Sequence, residues 1–309
     1  MIRDILVARD FSPSSERALT HALDLAERAD AALHMLAIKV LRRDPFAEAE
    51  RPTTPLDKLR EWFKERSRKT VTDRGFDPGS VRIHHALMQE EAPGPAIVKY
   101  ADENEVDLIA LGTHGRRGLR RMLLGSVTEE VLRTAPCPVL VTRASEEKQD
   151  ETKEATHRLI VPIDFSGASR AALRYAGQVA PLYDASLHLL HVIEDQFTPS
   201  EYELTTKKPK SADIRVRAER ALNEWKQELS TAATSVTTQV ERGRPEEGII
   251  EAAADGEKAM IVMATQGRTG WRRTMMGSVA ESVIRAAPCP VLAATSFPDA
   301  EGQDASDKS

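Results

Sequence analysis

Three glycines and a serine stand at spacings that suit the binding of a phosphate group. Gly112 and Gly115 follow a short apolar run, and Gly125 and Ser126 come after nine intervening residues rich in arginine. Glycine lets a backbone come close to a ligand because no Cβ stands in the way. Ser126 lies three residues before Glu129, which is the capping-box spacing at the start of a helix. The free amides and the positive dipole end of such a helix attract an anion.

The same pattern occurs a second time in the chain. The 31 residues that begin at Gly112 recur 152 residues later, and 18 of the 31 positions are identical. The second copy has Ala264 in place of the first glycine, and its serine is Ser278. The two serines predict helices over 126–134 and 278–286. A period this long indicates two domains of one fold, because solenoid repeats run only about 20 to 50 residues.

Strands and helices alternate around both motifs. A short apolar run ends just before Asp10, and a stretch with helical spacing follows it; the second copy places Asp164 in the same way. Each half then continues to a fifth predicted strand. This alternation predicts α/β architecture with two tandem doubly wound parallel five-stranded sheets, each covered by helices on both faces. Ligands bind to such sheets beyond the carboxyl ends of the strands, where the winding reverses.

The length and local composition divide the chain. A chain of 309 residues is long enough for two domains that each bury a core. Residues 145–156 contain no large apolar side chain and read as a linker. We therefore predict domains over 1–144 and 157–296, with a disordered tail over 297–309.

The overall composition excludes several classes of protein. The chain is 41% hydrophobic and 29% charged with a net charge of −5, which fits a soluble globular protein and does not favour a nucleic-acid partner. No apolar run is long enough to span a membrane, and no signal-peptide pattern precedes the first strand, so we expect a cytoplasmic protein. Two cysteines are too few for a metal cage or a disulfide framework.

The spaced glycines resemble the signature of the universal stress protein family, Gly-x2-Gly-x9-Gly-(Ser/Thr), in its tandem two-domain form. The resemblance covers nearly the whole chain. It implies a Rossmann-like fold of the adenine nucleotide alpha hydrolase-like type, ATP binding with Mg²⁺, and a homodimer. By matching positions it implies these cofactor-binding residues: Ala8, Asp10, Ile38, Gly112, His114, Gly115, Gly125, Ser126 and Val127 in the first copy, and Pro162, Asp164, Val192, Ala264, Gly267, Gly277, Ser278 and Val279 in the second.

Several of these residues have a second interpretation. Asp10 and Asp164 are expected to accept hydrogen bonds from an adenine or ribose, but an aspartate shortly before a serine also suits a turn or helix cap. Arg9 departs from the family pattern, which has a small or apolar residue there, and would place a charge near the base pocket. The loop arginines could clamp phosphates or simply face solvent.

The sequence favours a nucleotide-dependent stress-response regulatory module over an enzyme. It contains no Walker loop, no nucleophile elbow and no zinc-protease helix, and no catalytic base can be named in both copies. Slow ATP turnover stays open. One alternative is a nucleotide-free scaffold with degenerate pockets, which Arg9 and Ala264 favour. Another is a phosphorylated switch at Asp10, which is disfavoured because no acidic pair stands at that strand end.

Overall fold

Buried parallel strands form the centre of each half of the chain in this computed structural model. The chain divides into a first unit, residues 1–155, and a second unit, residues 156–309. The structure describes residues 2–41, 55–77, 79–113, 124–143, 156–194, 211–229, 235–255, 258–266 and 276–294, without the side chains of 211–213. Most of the predicted linker and the whole predicted tail lie outside these residues.

The elements alternate as predicted. The first unit contains β1 (Asp4–Ala8), α1 (Pro13–Ala29), β2 (Ala32–Val40), α2 (Leu56–Asp73), β3 (Ile83–Glu90), α3 (Pro93–Glu103), β4 (Leu108–Gly112), α4 (Ser126–Thr134) and β5 (Val139–Thr142). The second unit contains β6 (Arg158–Pro162), α5 (Gly167–Tyr183), β7 (Ser186–Glu194), α6 (Ser211–Glu228), β8 (Val236–Gly243), α7 (Pro245–Ala254), β9 (Ala259–Ala264), α8 (Ser278–Ala286) and β10 (Val291–Ala294).

The strand order shows where the winding of each sheet reverses. It is β3-β2-β1-β4-β5 in the first unit and β8-β7-β6-β9-β10 in the second, with parallel neighbours throughout. Right-handed crossovers then place helices on both faces of each sheet. The prediction of two doubly wound parallel five-stranded sheets is confirmed. The reversals fall between β1 and β4 and between β6 and β9, so a ligand crevice is expected there.

The central strands are apolar because both of their faces are covered. Ile5, Leu6 and Val7 of β1 have no exposed surface, and the same holds for Leu159 and its two successors in β6. Burial of each such side chain stabilises the fold by roughly 1.5–3 kcal/mol. Among the helices that the structure describes, none is long and apolar enough to cross a membrane.

The helix that follows the first strand is bounded by the same signals in both units. Ser12 caps α1, with its Oγ accepting from the Ser15 amide at 3.3 Å, and the helix stops at Asp30, whose backbone is left-handed with φ 51°. In α5 the cap is Ser166 and the left-handed stop is Asp184. A capped start fixes the direction in which the chain leaves the strand, and so fixes the turn at the expected crevice.

Candidate functional site

A strained turn joins β1 to α1 at the winding reversal. Asp10 Oδ1 accepts a hydrogen bond from the Ser12 amide at 2.9 Å. Between them, Phe11 has a left-handed backbone with φ 62°, which is uncommon outside glycine and costs of order 1–3 kcal/mol. Asp10 is half-buried. The turn interpretation of Asp10 is therefore present in the structure, and one carboxylate oxygen is already engaged by the backbone.

The second unit repeats this turn closely. Asp164 Oδ1 accepts from the Ser166 amide at 3.0 Å and from the Ser166 hydroxyl at 2.6 Å. Phe165 has φ 61°. The left-handed phenylalanines were not predicted from the sequence, although the Asp-x-Ser spacing is typical of the turn that produces them.

The residues expected to line a base pocket lie at the carboxyl ends of the neighbouring strands. Ala8 is the last residue of β1, and Ile38 stands near the end of β2; both are half-buried. Pro162 and Val192 occupy the same places in the second unit and are also half-buried. The fold thus brings these positions to the edge that carries the aspartate turns.

The helices predicted from the glycine-serine pairs are present, but their caps differ from the prediction. Gly125, with φ −62° and ψ 139°, is the N-cap of α4, and no side chain caps the helix. The first intrahelical bond runs from the Glu129 amide to the Gly125 carbonyl at 2.9 Å. Ser126 is therefore the first helical residue, and the capping-box prediction is wrong for it and, in the same way, for Ser278. Ser126 is exposed, and no side-chain hydrogen bond caps the helix.

A backbone hydrogen bond closes the base of each glycine loop. The Gly125 amide donates to the Thr113 carbonyl at 2.8 Å, and the Gly277 amide donates to the Thr265 carbonyl at 2.8 Å. The first amides of any helix have no intrahelical partner, and this bond satisfies one of them. The amides of residues 126–128 in α4 have no acceptor among the residues that the structure describes. Val127 in the first turn of α4 and its counterpart Val279 in α8 are half-buried.

One hydroxyl beside the second loop is buried without a partner among the described residues. Thr265 is 1% exposed, and its Oγ1 makes no hydrogen bond with any residue that the structure describes. A Cβ on the adjacent Gly277 would lie 3.3 Å from the Thr265 carbonyl oxygen. An unsatisfied buried hydroxyl normally costs about 1–3 kcal/mol, so a ligand that bonds to it would recover that loss.

The first glycine of the motif serves packing. A Cβ on Gly112 would lie 2.6 Å from both the carbonyl carbon and the Oγ of Ser14 in α1. The prediction that Gly112 gives room to a ligand is corrected: the room is taken by α1. Ala264 stands at the equivalent place in the second unit, where α5 packs on β9. Thr128 Oγ1 also bonds to the Gly112 carbonyl at 2.9 Å, which ties α4 to β4.

The side chain of Arg9 is buried, and it is not exposed beside the predicted base pocket. It is 0% exposed and pairs with Glu16 at 2.5 Å, while its Nη1 donates to Ser67 Oγ at 3.1 Å. Arg74 reaches the other oxygen of Glu16 at 3.5 Å. Burial lowers the pKa of the Arg9 guanidinium, and the charge of Glu16 opposes that shift. Arg9 is thus part of a buried charge cluster between α1 and α2.

Some predicted site residues lie outside the part of the chain that the structure describes. His114, Gly115 and Gly267 lie outside the described residues, as do the loop arginines that could clamp phosphates. What the described residues bring together in each unit is an aspartate turn, half-buried apolar strand ends and an open helix N-terminus. This arrangement can hold an anion on backbone amides and an apolar ring beside it.

Comparison with known proteins shows which family this chain resembles. The model of the universal stress protein family matches residues 1–143 and again residues 155–294. A universal stress protein of Mycobacterium tuberculosis is 25% identical over 294 residues, which cover 94% of this chain and 95% of that protein. One of Methanocaldococcus jannaschii is 35% identical over 145 residues, covering 46% of this chain and 83% of the relative.

A solved structure shares the fold over almost the whole chain. It is a universal stress protein from Archaeoglobus fulgidus, with a TM-score of 0.62 and 22% identity, covering 94% of this chain and 97% of that one.

Proposed function

Because the chain belongs to the universal stress protein family and carries the family's domain twice, we propose that each unit binds ATP and that the protein acts as a nucleotide-dependent stress-response module. The observation that carries this proposal is the open helix N-terminus found in both units at the point where the sheet winding reverses.

The phosphates would bind at the starts of α4 and α8. Three amides of the first turn of α4 have no helical partner. Hydrogen bonds from such amides to an anion are stronger than hydrogen bonds between two neutral groups. Ser126 and Ser278 are exposed at the same ends. Thr265, whose hydroxyl has no partner among the described residues, would add a donor in the second unit.

The adenosine would occupy the strand ends next to these helices. The base would lie against Ala8 and Ile38 in the first unit and against Pro162 and Val192 in the second. The aspartate turn would supply an acceptor for a base or ribose donor. Mg²⁺ would come with the phosphates, because this ion keeps several of its waters and needs few protein ligands.

A proline substitution tests the amides directly. Proline is favoured at the first helical position, and the residue before it must be extended, which Gly125 and Gly277 already are with ψ 139° and 146°. Ser126→Pro and Ser278→Pro therefore each remove one amide donor from an intact helix. Ser126→Ala and Ser278→Ala are the controls, because they remove only the hydroxyl.

Calorimetric titration with MgATP should show two sites on the unmodified chain. Each proline variant should weaken one site by about 10- to 100-fold, since one charge-assisted hydrogen bond is lost, and the alanine variants should lose less. Circular dichroism checks that the helices persist. If ATP produces no heat and no thermal shift with the unmodified protein, the nucleotide-free scaffold is the better description. Equal affinity in the proline and parent proteins would refute the proposed phosphate position.

A further inference from the structure

A surface cavity lies between the start of α1 and the second turn of α2. Its volume is about 460 Å³, and it is lined by Phe11, Ser12, Pro13, Trp62 and Arg66. Sites for small organic ligands have volumes of about 300–1,000 Å³. The cavity therefore has the size of a small-molecule site, and none of the roles assigned above uses it.

Two aromatic rings form its apolar walls. Trp62 is 49% exposed, although tryptophan is highly buried on average. Its ring centroid lies 5.1 Å from that of Phe11, with the planes inclined at 64°. The left-handed backbone at Phe11 turns this ring toward α2. An edge-to-face pair with one half-open indole leaves a ring surface on which another planar group can pack.

The third wall is the exposed guanidinium of Arg66. Arg66 follows Trp62 by one helical turn, so both side chains lie on one face of α2. Its Cζ is 6.0 Å from the centroid of the Phe11 ring, and it forms no ion pair within the part of the chain that the structure describes. Arg9 lies 4.7 Å from the same ring and is already paired with Glu16. A guanidinium binds carboxylate, sulfonate or phosphate through two parallel hydrogen bonds.

The second unit fills the corresponding place with its own side chains. Trp225 is 7% exposed and lies 5.5 Å from Phe165. Arg170 covers the Trp225 ring at 4.7 Å and pairs with Glu228 at 3.5 Å. Counted from the helix starts, the positions of Trp62 and Arg66 are taken in α6 by an arginine and an alanine. In the second unit, the indole of Trp225 is covered and the guanidinium of Arg170 is paired with a carboxylate. In the first unit, Trp62 and Arg66 are both exposed.

We propose that this cavity binds a small planar aromatic molecule that carries one acidic group. The ring packs on Trp62 and Phe11, and the acid forms its hydrogen bonds with Arg66. The site belongs to the first unit alone and is separate from the helix N-termini assigned to the phosphates.

Indole-3-acetate is a suitable probe on the full-length protein. A ligand of this size in an open cavity is expected to bind with a Kd of about 1 mM or tighter. Ligand-observed NMR and calorimetry would compare the parent protein with Trp62→Ala, Arg66→Gln and the control Arg68→Gln, which alters an exposed arginine of the same helix outside the cavity. Tryptamine, which lacks the acid, and cyclohexylacetate, which lacks the aromatic ring, test each half of the recognition.

The expected result is binding of indole-3-acetate that Trp62→Ala and Arg66→Gln each weaken at least about fivefold and Arg68→Gln leaves unchanged. Tryptamine and cyclohexylacetate should bind the parent protein more weakly than indole-3-acetate, a comparison that does not depend on any variant folding. Absence of binding, or equal binding of the three probes, would overturn the proposal. Displacement of indole-3-acetate by ATP would also overturn it, because the cavity would then be part of a nucleotide site. If the parent protein binds indole-3-acetate but does not bind ATP, that result would count against the proposed function and leave this proposal in place.

Discussion

Replacing Glu16 with glutamine should destabilise the first unit by about 3 kcal/mol. Glu16 is the carboxylate that both Arg9 and Arg74 contact, at 2.5 and 3.5 Å. The side chains of these arginines are 0% and 7% exposed, so neither charge can turn to water when Glu16 is neutralised. Removing one partner of a buried ion pair costs roughly 3–5 kcal/mol. We take the lower end because the Glu16 side chain is 19% exposed and glutamine keeps an acceptor oxygen.

Urea unfolding followed by tryptophan fluorescence measures this loss. Trp225→Phe and Trp271→Phe leave Trp62 as the reporter of the first unit, since the chain has three tryptophans. With a slope of about 2 kcal/mol per molar urea, a loss of 3 kcal/mol lowers the midpoint by about 1.5 M. Glu65→Gln is the matched control: Glu65 is an exposed carboxylate on α2, and its replacement should shift stability by less than about 0.5 kcal/mol.

A double-mutant cycle tests the cause. In an Arg9→Ile background, Glu16→Gln no longer separates the buried Arg9 guanidinium from its carboxylate, so its cost should fall by at least about 1 kcal/mol. Ile163 occupies the place of Arg9 in the second unit and is 3% exposed, which shows that this fold accepts isoleucine there. The reasoning is refuted if Glu16→Gln costs less than about 1 kcal/mol, or if its cost is the same in both backgrounds.

Two further predictions concern the packing glycine and a half-buried histidine of the first unit. Gly112→Ala should cost about 3 kcal/mol in urea unfolding because its Cβ would meet the Ser14 backbone at 2.6 Å, whereas the control Ala264→Gly should cost only about 1 kcal/mol; equal costs would contradict this packing. Burial, with the nearby cations Lys64 and Arg68, lowers the pKa of His85 to about 4, so the unfolded chain takes up this proton first as the pH falls. Stability of the first unit should be full above pH 6.5 and decline toward pH 4 by about 1–2 kcal/mol, a figure reduced because the residue is only half-buried. His85→Gln should remove that part of the decline, and an unchanged pH profile in this variant would contradict it.

The sequence predicted the elements well wherever one local signal decided them. The helices over 126–134 and 278–286 follow from the spacing of each serine and glutamate, and the structure has them at those residues. The cap was wrong because Ser-x-x-Glu has the same spacing whether the serine stands before the helix or begins it. The choice depends on which carbonyl accepts the first helical bond, and that is set by the extended backbone of the preceding glycine.

Contacts between distant residues could not be predicted. Gly112 looked like a ligand-facing glycine, but its missing side chain makes room for Ser14, which is far away along the chain. Arg9 looked like an intrusion into a base pocket, but its guanidinium pairs with Glu16 of α1 and bonds to Ser67 of α2. Local patterns carry no information about which distant side chain will contact a given residue, so the packing roles of Gly112 and Arg9 could not be read from the sequence.

The two units reach the same helix N-terminus from different cores. Beneath the aspartate turn, the first unit has the buried pair of Arg9 with Glu16, where the second has Ile163 and an arginine that stacks on tryptophan. The strand that leads into the loop ends in glycine in one unit and alanine in the other. The N-cap backbone nevertheless agrees to within a few degrees, at φ −62°, ψ 139° and φ −67°, ψ 146°, and both loops are closed by the same 2.8 Å bond. Both units have Gly-Ser-Val at this point, so the same local sequence produces the same N-cap geometry although the cores beneath the aspartate turns differ.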